Sequence, residues 1–559
     1  MNLQQSVFEH SAGCMTSKAL LSVQGLRVGF GSSDNVLHGI DFDLLQGEIL
    51  GIVGESGSGK SVTCRAVMGL LPKTAHIQGI VGFNGGQLPA SQSDELARLR
   101  GQDMAMIFQD PMSALDPLMS VRRQFALRGI DGSGTEELLL RSGLSDPGQI
   151  LDSYPHRMSG GQCQRVAIAC ALARRPKVLF ADEPTTALDV TVQASLLREL
   201  RKLARESGMS IVLVTHDIGV VAEVCDRMLV MHQGRLIERG NVQDVLRAPQ
   251  ATYTRGLLGA IPRTEGKGKR LITVNESGQG MSTAPLPPPP VIDTAAGPVL
   301  SFHAVNVTYP RPDGTRFAAV KDVSLEVYPR EIVGIVGESG SGKSTLAKTA
   351  VGLVPPSKGY VDLDGRKLDW QRRPRRDRRF IQYIFQDPRG ALDPLRRAVD
   401  QVREVLDLHA IGDRCARTAL ARQELLRAGL EEDLHERRPA RLSGGQRQRV
   451  TIARALALKP RVLICDESVS ALDVSVQARI LNTLLRLRAE SDLTILFISH
   501  DLSVIHHLCD RVAVMRQGQI LEQGETTAVW KAPRQSYTRN LLAALPQLPV
   551  DAHGEKVPA

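Results

Sequence analysis

Two octapeptides carry the first chemical information in this chain. GESGSGKS stands at residues 54–61 and again at 337–344, each time after an apolar run, EILGIVG at 48–54 and EIVGIVG at 331–337. Glycines at this spacing let the backbone wrap an anion closely. The N–H groups of the loop, and of a helix starting after it, supply positive potential, so the pattern is a phosphate cradle. Its residues are Gly54, Ser56, Gly57, Gly59, Lys60, Ser61 and Val62 in the first copy. In the second they are Gly337, Ser339, Gly340, Gly342, Lys343, Ser344 and Thr345. In such a cradle Lys60 and Lys343 reach the terminal phosphates of a nucleotide, and the hydroxyls of Ser61 and Ser344 suit a Mg²⁺ ion.

A second set of residues fits the same chemistry. Asp182 ends the apolar run VLFAD and Asp466 ends VLICD, where a strand would deliver a carboxylate to the metal side of the cradle. Glu183 and Glu467 follow directly. Adjacent strand residues point to opposite sides, and a strand end relaxes this. One carboxylate is then placed to bind Mg²⁺ through water while the other polarises an attacking water. His216 and His500 close the runs IVLVTHD and ILFISHD; taken alone, each reads as an ordinary strand-end histidine.

The elements that must position these groups follow from the same runs. Short, fully apolar stretches alternating with helical ones indicate buried strands of a parallel α/β sheet. The whole plan occurs twice. Lys60 recurs as Lys343, 283 residues on, and SGGQ (159–162 and 443–446), Asp182/Asp466, His216/His500 and YTR (253–255 and 537–539) all recur 284 residues on. A period this long is a whole-domain duplication. Domains are expected at 18–262 and 299–546, with tails at 1–17 and 547–559. Residues 263–298 are basic, then Gly/Ser-rich, then contain LPPPP, and are expected to be a linker without strand or helix.

Composition limits the alternatives. The chain has 559 residues, 42% hydrophobic and 23% charged, which fits a globular protein and excludes a disordered or disulfide-stapled one. Of the net charge of +9, QRRPRRDRRF (371–380) contributes +5 and RTEGKGKR (263–270) +3, so no broad nucleic-acid footprint remains. Such runs form solvated loops or meet anionic lipid or an acidic partner. None of the eight cysteines forms a CxxC pair, so they are expected to be reduced core thiols. No run is long and apolar enough for a membrane span, and the N-terminus carries no secretion-signal pattern.

The order of Gly-rich loop, Gln, SGGQ, Asp-Glu, ALD and His resembles the ATP-binding cassette (ABC) ATPase domain, twice over. The resemblance implies two tandem P-loop NTPase domains, each with a mainly parallel sheet, an antiparallel β part and a helical signature subdomain. Ser159, Gly160, Gly161 and Gln162, with Ser443, Gly444, Gly445 and Gln446, match the ABC signature. By the same resemblance Gln109 and Gln386 sense Mg²⁺ and couple to the transporter, and His216 and His500 contact the γ-phosphate. Asp189 and Asp473 match the D-loop. Phe30 and Tyr309 fall where the family stacks an aromatic on adenine; Tyr309 fits this better, and Phe30 reads equally as core. Family domains pair head to tail, which implies an internal pseudo-dimer with two composite ATP sites. Two departures stand out, neither at a catalytic position. Ser468 replaces the proline after Asp-Glu that Pro184 keeps, and Cys163 replaces the arginine after SGGQ that Arg447 keeps.

Within the family, three readings compete: importer ATPase, ribosome-acting ABC-F protein, and repair-type ATPase. The linker is short and Pro-rich rather than long, charged and helical, and no coiled-coil or zinc insertion is visible. FQDPMSALDPLMSV (108–121), FQDPRGALDPLRRAV (385–399) and the two YTR tails resemble the dipeptide/oligopeptide/nickel importer branch, and the fusion of two cassettes resembles its bacterial peptide/glutathione-type ATPases. That branch implies ATP and Mg²⁺ as ligands, two integral-membrane permeases and an extracytoplasmic binding protein as partners, and a peripheral place on the cytoplasmic face of the bacterial inner membrane. No cysteine cluster follows either tail, so no iron–sulfur centre is expected.

Overall fold

The computed structural model describes residues 19–31, 35–88, 94–130, 132–144, 146–185, 190–263, 266–274, 281–282, 285–311, 314–369, 374–469 and 472–545. It divides into two compact units. The first comprises the described residues of 19–185 with Leu196–Ala248. The second comprises Ala187–Ser195 and Pro249–Gln547.

In the first unit the runs ILGIV (Ile49–Val53), VLFAD (Val178–Asp182) and SIVLVT (Ser210–Thr215) are strands buried along their whole length. Strands with water on neither face read as unbroken apolar runs. They form a six-stranded sheet in the order Arg235–Asn241, Arg227–His232, Ile49–Val53, Ser210–Thr215, Val178–Asp182, Met104–Ile107. Neighbours are parallel except at the edge pair Arg235–Asn241/Arg227–His232. A separate antiparallel sheet, ordered Asn35–Leu45, Ala19–Phe30, Ala75–Phe83, Gly86–Leu88, lies over it. Leu21, Val23, Leu26, Leu37, Ile40 and Phe42 of that sheet share one core with Leu50 and Ile52 of the other. Each such side chain contributes roughly 1.5–3 kcal/mol by burial. A third layer is helical: Leu115, Val121, Phe125 and Leu139 pack on Val166 and Ala169 of the helix Gly160–Leu172.

The second unit repeats both sheets. Its six-stranded sheet runs Ile381–Ile384, Val462–Asp466, Thr494–Ile498, Ile332–Val336, Arg511–Arg516, Gln519–Glu525, and its antiparallel sheet runs Arg316–Val327, Leu300–Pro310, Lys358–Leu363, Arg366–Lys367. The parallel/antiparallel expectation therefore holds in both halves.

The segment between the repeats is more ordered than its composition suggests. Thr273–Val274 and Met281–Ser282 form a two-stranded antiparallel pair. Leu271 is buried in the second unit's core. Its N–H donates to Asn482 Oδ1 (3.0 Å) and its carbonyl accepts from Asn482 Nδ2 (2.9 Å), so one amide side chain satisfies both backbone groups. Gly268 N–H also donates to His507 O at 2.9 Å. The reason is the cost of burying unpaired backbone polar groups, which a facing asparagine removes.

The basic run at 371–380 is partly structural. Residues 371–373 lie outside the described residues, whereas Arg375–Phe380 is a helix. Asp377 there is buried and paired with Arg366, and Arg379 Nε donates to Leu458 O at 2.9 Å. No helix among the described residues is long and apolar enough to cross a membrane.

Asn482→Ala leaves both backbone groups of Leu271 without their partner, at a cost of about 1–3 kcal/mol for a buried unsatisfied group. Amide exchange at Leu271 and Ile272, followed by mass spectrometry, is expected to accelerate about tenfold or more while the strands of the first unit keep their protection.

Candidate functional site

The phosphate loops are built by close approach of backbone to backbone. Gly54 has φ 153° and Gly337 φ 152°, and a Cβ on them would lie 2.2 Å from Met231 O and 2.1 Å from Met515 O. Only glycine permits this. Gly59 (φ 98°) and Gly342 (φ 102°) cap the helices Lys60–Val67 and Lys343–Val351 in the left-handed conformation. Ser56, Gly57, Ser339 and Gly340 are exposed at the loop tips, and Val62 and Thr345 follow half-buried on the helices. The two lysines are buried under their own loops. Lys60 Nζ donates to Gly54 O (2.8 Å) and Glu55 O (2.9 Å). Lys343 Nζ donates to Gly337 O (2.7 Å) and Glu338 O (2.8 Å).

Each loop helix is tied to a strand two places away in the sheet. Ser61 Oγ donates to Asp182 Oδ1 at 2.7 Å and Ser344 Oγ to Asp466 Oδ1 at 2.8 Å. Burial raises the Asp182 carboxyl above its ordinary range, against the lowering effects of Ser61 and Arg65. Its Oδ2 is buried without a hydrogen-bond partner, and Arg65 Nη2 stands 3.8 Å away.

The glutamates collect the remaining polar groups. Glu183 and Glu467 have φ of 48° and 45°, a left-handed conformation uncommon outside glycine. It is held by their N–H groups donating to Val214 O and Ile498 O at 2.9 Å. The turn at the strand end thereby aims the glutamate away from the adjacent aspartate. Gln109 Nε2 donates to Glu183 Oε2 (2.8 Å) and Gln386 Nε2 to Glu467 Oε2 (2.9 Å). His216 Nδ1 lies 3.2 Å from Glu183 Oε1 and His500 Nδ1 3.5 Å from Glu467 Oε2. The glutamines thus reach the glutamates rather than the Ser–Asp pairs. The hydrogen bond from His500 holds the Glu467 carboxyl below its ordinary range. Burial pushes His500 down, but its bond to Glu467 and that charge prevail and raise it.

The SGGQ segments are helix starts. Ser159 caps Gly160–Leu172 and Ser443 caps Gly444–Leu456, each in a reciprocal box: the Ser Oγ accepts from the Gln162 or Gln446 N–H (3.2 Å), and the Gln Oε1 accepts from the Ser N–H (2.9 Å). The cap satisfies one of the helix's orphan donors and leaves others facing outward. Gly445 is required by packing, since a Cβ would meet Val476 Cγ1 at 2.1 Å. Gly161 follows Gly160 in the first turn of its helix. The two departures are accommodated locally. Cys163 Sγ donates to Pro155 O (3.4 Å), the same carbonyl that, as Pro439 O, accepts from Arg447 Nη1 (3.2 Å). Pro184 O accepts from Gln164 Nε2 (2.7 Å), and Ser468 is buried.

Other sequence candidates fall less centrally. Phe30 is half-buried against the sheet core, and Tyr309 is 38% exposed at its strand end. Asp473 stands at the N-cap position of the helix Val474–Glu490, and Asp189 lies outside the described residues. Two contacts have no counterpart in the motif reading: Arg65 near Asp182, and Tyr383, whose hydroxyl donates to Asp466 Oδ2 at 2.5 Å. The polar pair Gln382–Tyr383 inside the strand IQYI is the available signal for the latter.

A Gly-rich strand-to-helix loop, a strand-end aspartate and a glutamate bonded to Gln and His define a P-loop nucleotide hydrolase, and both units carry the set complete. Comparison with known proteins places it more closely. The ABC transporter family profile matches residues 37–186 and 320–470, and the oligopeptide/dipeptide transporter C-terminal region matches 237–285. The glutathione import ATP-binding protein GsiA of Salmonella typhimurium is 40% identical over 95% of this chain and 90% of its own length. Its Escherichia coli K12 counterpart is 41% identical over 94% and 89%. An archaeal ribosome recycling factor, aABCE1, solved with the stalk protein aP1, superposes with a TM-score of 0.57 at 21% identity over 88% of both chains, a likeness of fold alone. The chain belongs to the ABC transporter family, as an ATP-binding ATPase subunit.

The shifts of His500 and Glu467 have opposite signs, so their charge pairing has a defined window. The His500 contribution is present in full below its unfolded value of 6.5 and is lost as pH rises through the raised folded value. That of Glu467 is present above 4.5 and is lost as pH falls through the lowered one. The pair is therefore fully formed between about pH 4.5 and 6.5. In ¹³C-histidine NMR, the signal missing from His500→Gln should titrate above pH 6.5 in the wild type and move down in Glu467→Gln.

Proposed function

We propose that this chain is the energy-coupling ATPase of a bacterial importer for peptides of the di/oligopeptide or glutathione-like class. The observation that carries the proposal is likeness along almost the whole length to glutathione import ATP-binding proteins, together with polar clusters intact in both halves. The partners are two integral-membrane permeases, fed by an extracytoplasmic binding protein, and the chain sits peripherally on the cytoplasmic face of the inner membrane. The FQDP…ALDP segments support this: they present Leu118 and Leu395, 86% and 75% exposed at equivalent positions, as apolar knobs for a partner.

In this reading the phosphates of ATP lie in the loops 54–61 and 337–344. Lys60 and Lys343 exchange their loop carbonyls for phosphate oxygens, a charge-assisted bond stronger than the one given up. The signature helix starts at Ser159 and Ser443 donate N–H groups to the γ-phosphate held by the other half, which makes the two halves an internal pseudo-dimer. The residues also fit Mg²⁺. Each site offers a serine hydroxyl and an aspartate, an all-oxygen set suited to a hard cation, and the buried Asp182 Oδ2 accepts no hydrogen bond. Bound there, the ion would neutralise charge between the β- and γ-phosphates. Glu183 and Glu467 orient the attacking water and accept its proton. Gln109 and His216 hold opposite oxygens of Glu183, Gln386 and His500 both approach Glu467 Oε2, and the two histidines face the γ-phosphate.

Glu183→Gln combined with Glu467→Gln keeps ATP binding and lowers turnover by 10²–10⁴, the usual contribution of a general base; an unchanged rate of phosphate release refutes the assignment. Affinity purification from native membranes is expected to recover two polytopic permeases. Recovery of ribosomes without a membrane protein would overturn the importer reading.

A further inference from the structure

The two strand-end aspartates accept the same bond from serine but differ at the second oxygen. In the second unit Tyr383 Oη donates to Asp466 Oδ2 at 2.5 Å. Tyr383 sits on Ile381–Ile384, the parallel neighbour of Val462–Asp466, opposite Ile464 in register. Its ring packs against the core and lies 4.8 Å from the Phe385 ring, so the hydroxyl is delivered from a fixed platform. The matching residue of the first unit is Met106, opposite Phe180, which has no hydroxyl to give. There Asp182 Oδ2 has Arg65 Nη2 at 3.8 Å and no hydrogen bond. The second unit has Lys348 at the position of Arg65.

We infer that Tyr383 is a positioning residue that makes the second site the tighter of the two for a divalent cation with nucleotide. A carboxylate turns easily about its terminal torsion, which is broad and two-fold. One donor on each oxygen, Ser344 on Oδ1 and Tyr383 on Oδ2, holds the Asp466 plane fixed. Asp182 has a hydrogen-bond donor on one oxygen alone. Partners behind a metal-facing carboxylate typically change metal affinity by 10–100-fold. The duplication is therefore unequal in a way the shared motifs conceal: both sites bind and both carry a glutamate, but the second arrives with its carboxylate already oriented. This rests on the Mg²⁺-ATP reading above.

Binding, rather than turnover, tests the inference. Mn²⁺ is titrated into the full-length protein saturated with a non-hydrolysable ATP analogue, and free Mn²⁺ is read by electron paramagnetic resonance. The wild type is expected to show two classes of site. Tyr383→Phe weakens the tighter class about tenfold and leaves the weaker one unmoved; Tyr383→Met, which installs the residue of the first unit, does the same. Met106→Phe changes neither class. Isotherms of the Tyr383 variants that superpose on the wild type, or that show both classes weakened together, overturn the positioning role. A wild type that retains no Mn²⁺ with the nucleotide overturns the nucleotide–metal reading, and this inference with it.

Discussion

A single hydrogen bond per unit holds the chemistry in place: the first hydroxyl of the loop helix to the strand-end aspartate, Ser61 to Asp182 and Ser344 to Asp466. The strands that deliver these residues are not neighbours, since Ser210–Thr215 lies between one pair and Thr494–Ile498 between the other. The bond therefore fixes the loop against the far part of the sheet. The left-handed glutamate, one residue beyond the aspartate, takes its place from the same strand end. Gln109, His216 and their counterparts gather on it. Loosening that bond would separate the Gly-rich loop from the Glu–Gln–His cluster, however well each was folded.

The duplication shows how far local chemistry can drift while geometry stays. A thiol in one half and a guanidinium in the other reach the same carbonyl behind the signature helix. These exchanges lie behind the start of the signature helix, away from the Gly-rich loops. Tyr383 differs from them because its partner is itself a site residue.

Much of the site was legible because its information is local. A Gly-rich loop, a capping box and a carboxylate after a buried strand are each written within a few residues, and apolar runs such as ILGIV and TILFI announce burial on both faces. Phe30, which the sequence leaves between adenine and core, packs on the core. What stayed hidden depends on which strands become neighbours. Tyr383 meets Asp466 across 83 residues, and Asn482 meets Leu271 across 211. No periodicity marks an asparagine that will satisfy a distant backbone, so the stretch around Leu271 reads from composition as unstructured.

The docking of Leu271 changes what the proline-rich stretch does mechanically. That stretch begins and ends on the same unit, through Leu271 at one side and Val299, whose N–H donates to Val327 O, at the other. Its described ends are both held on that unit. Lengthening a flexible closed loop costs little, about 0.6 kcal/mol for each doubling, so insertions there are cheap. A protease cut in that stretch would sever the chain, yet leave Ala260 and Leu271 in the core of the second unit. The two fragments would remain one particle, as the halves of a clipped protein do when the seam is held by contacts instead of by the backbone.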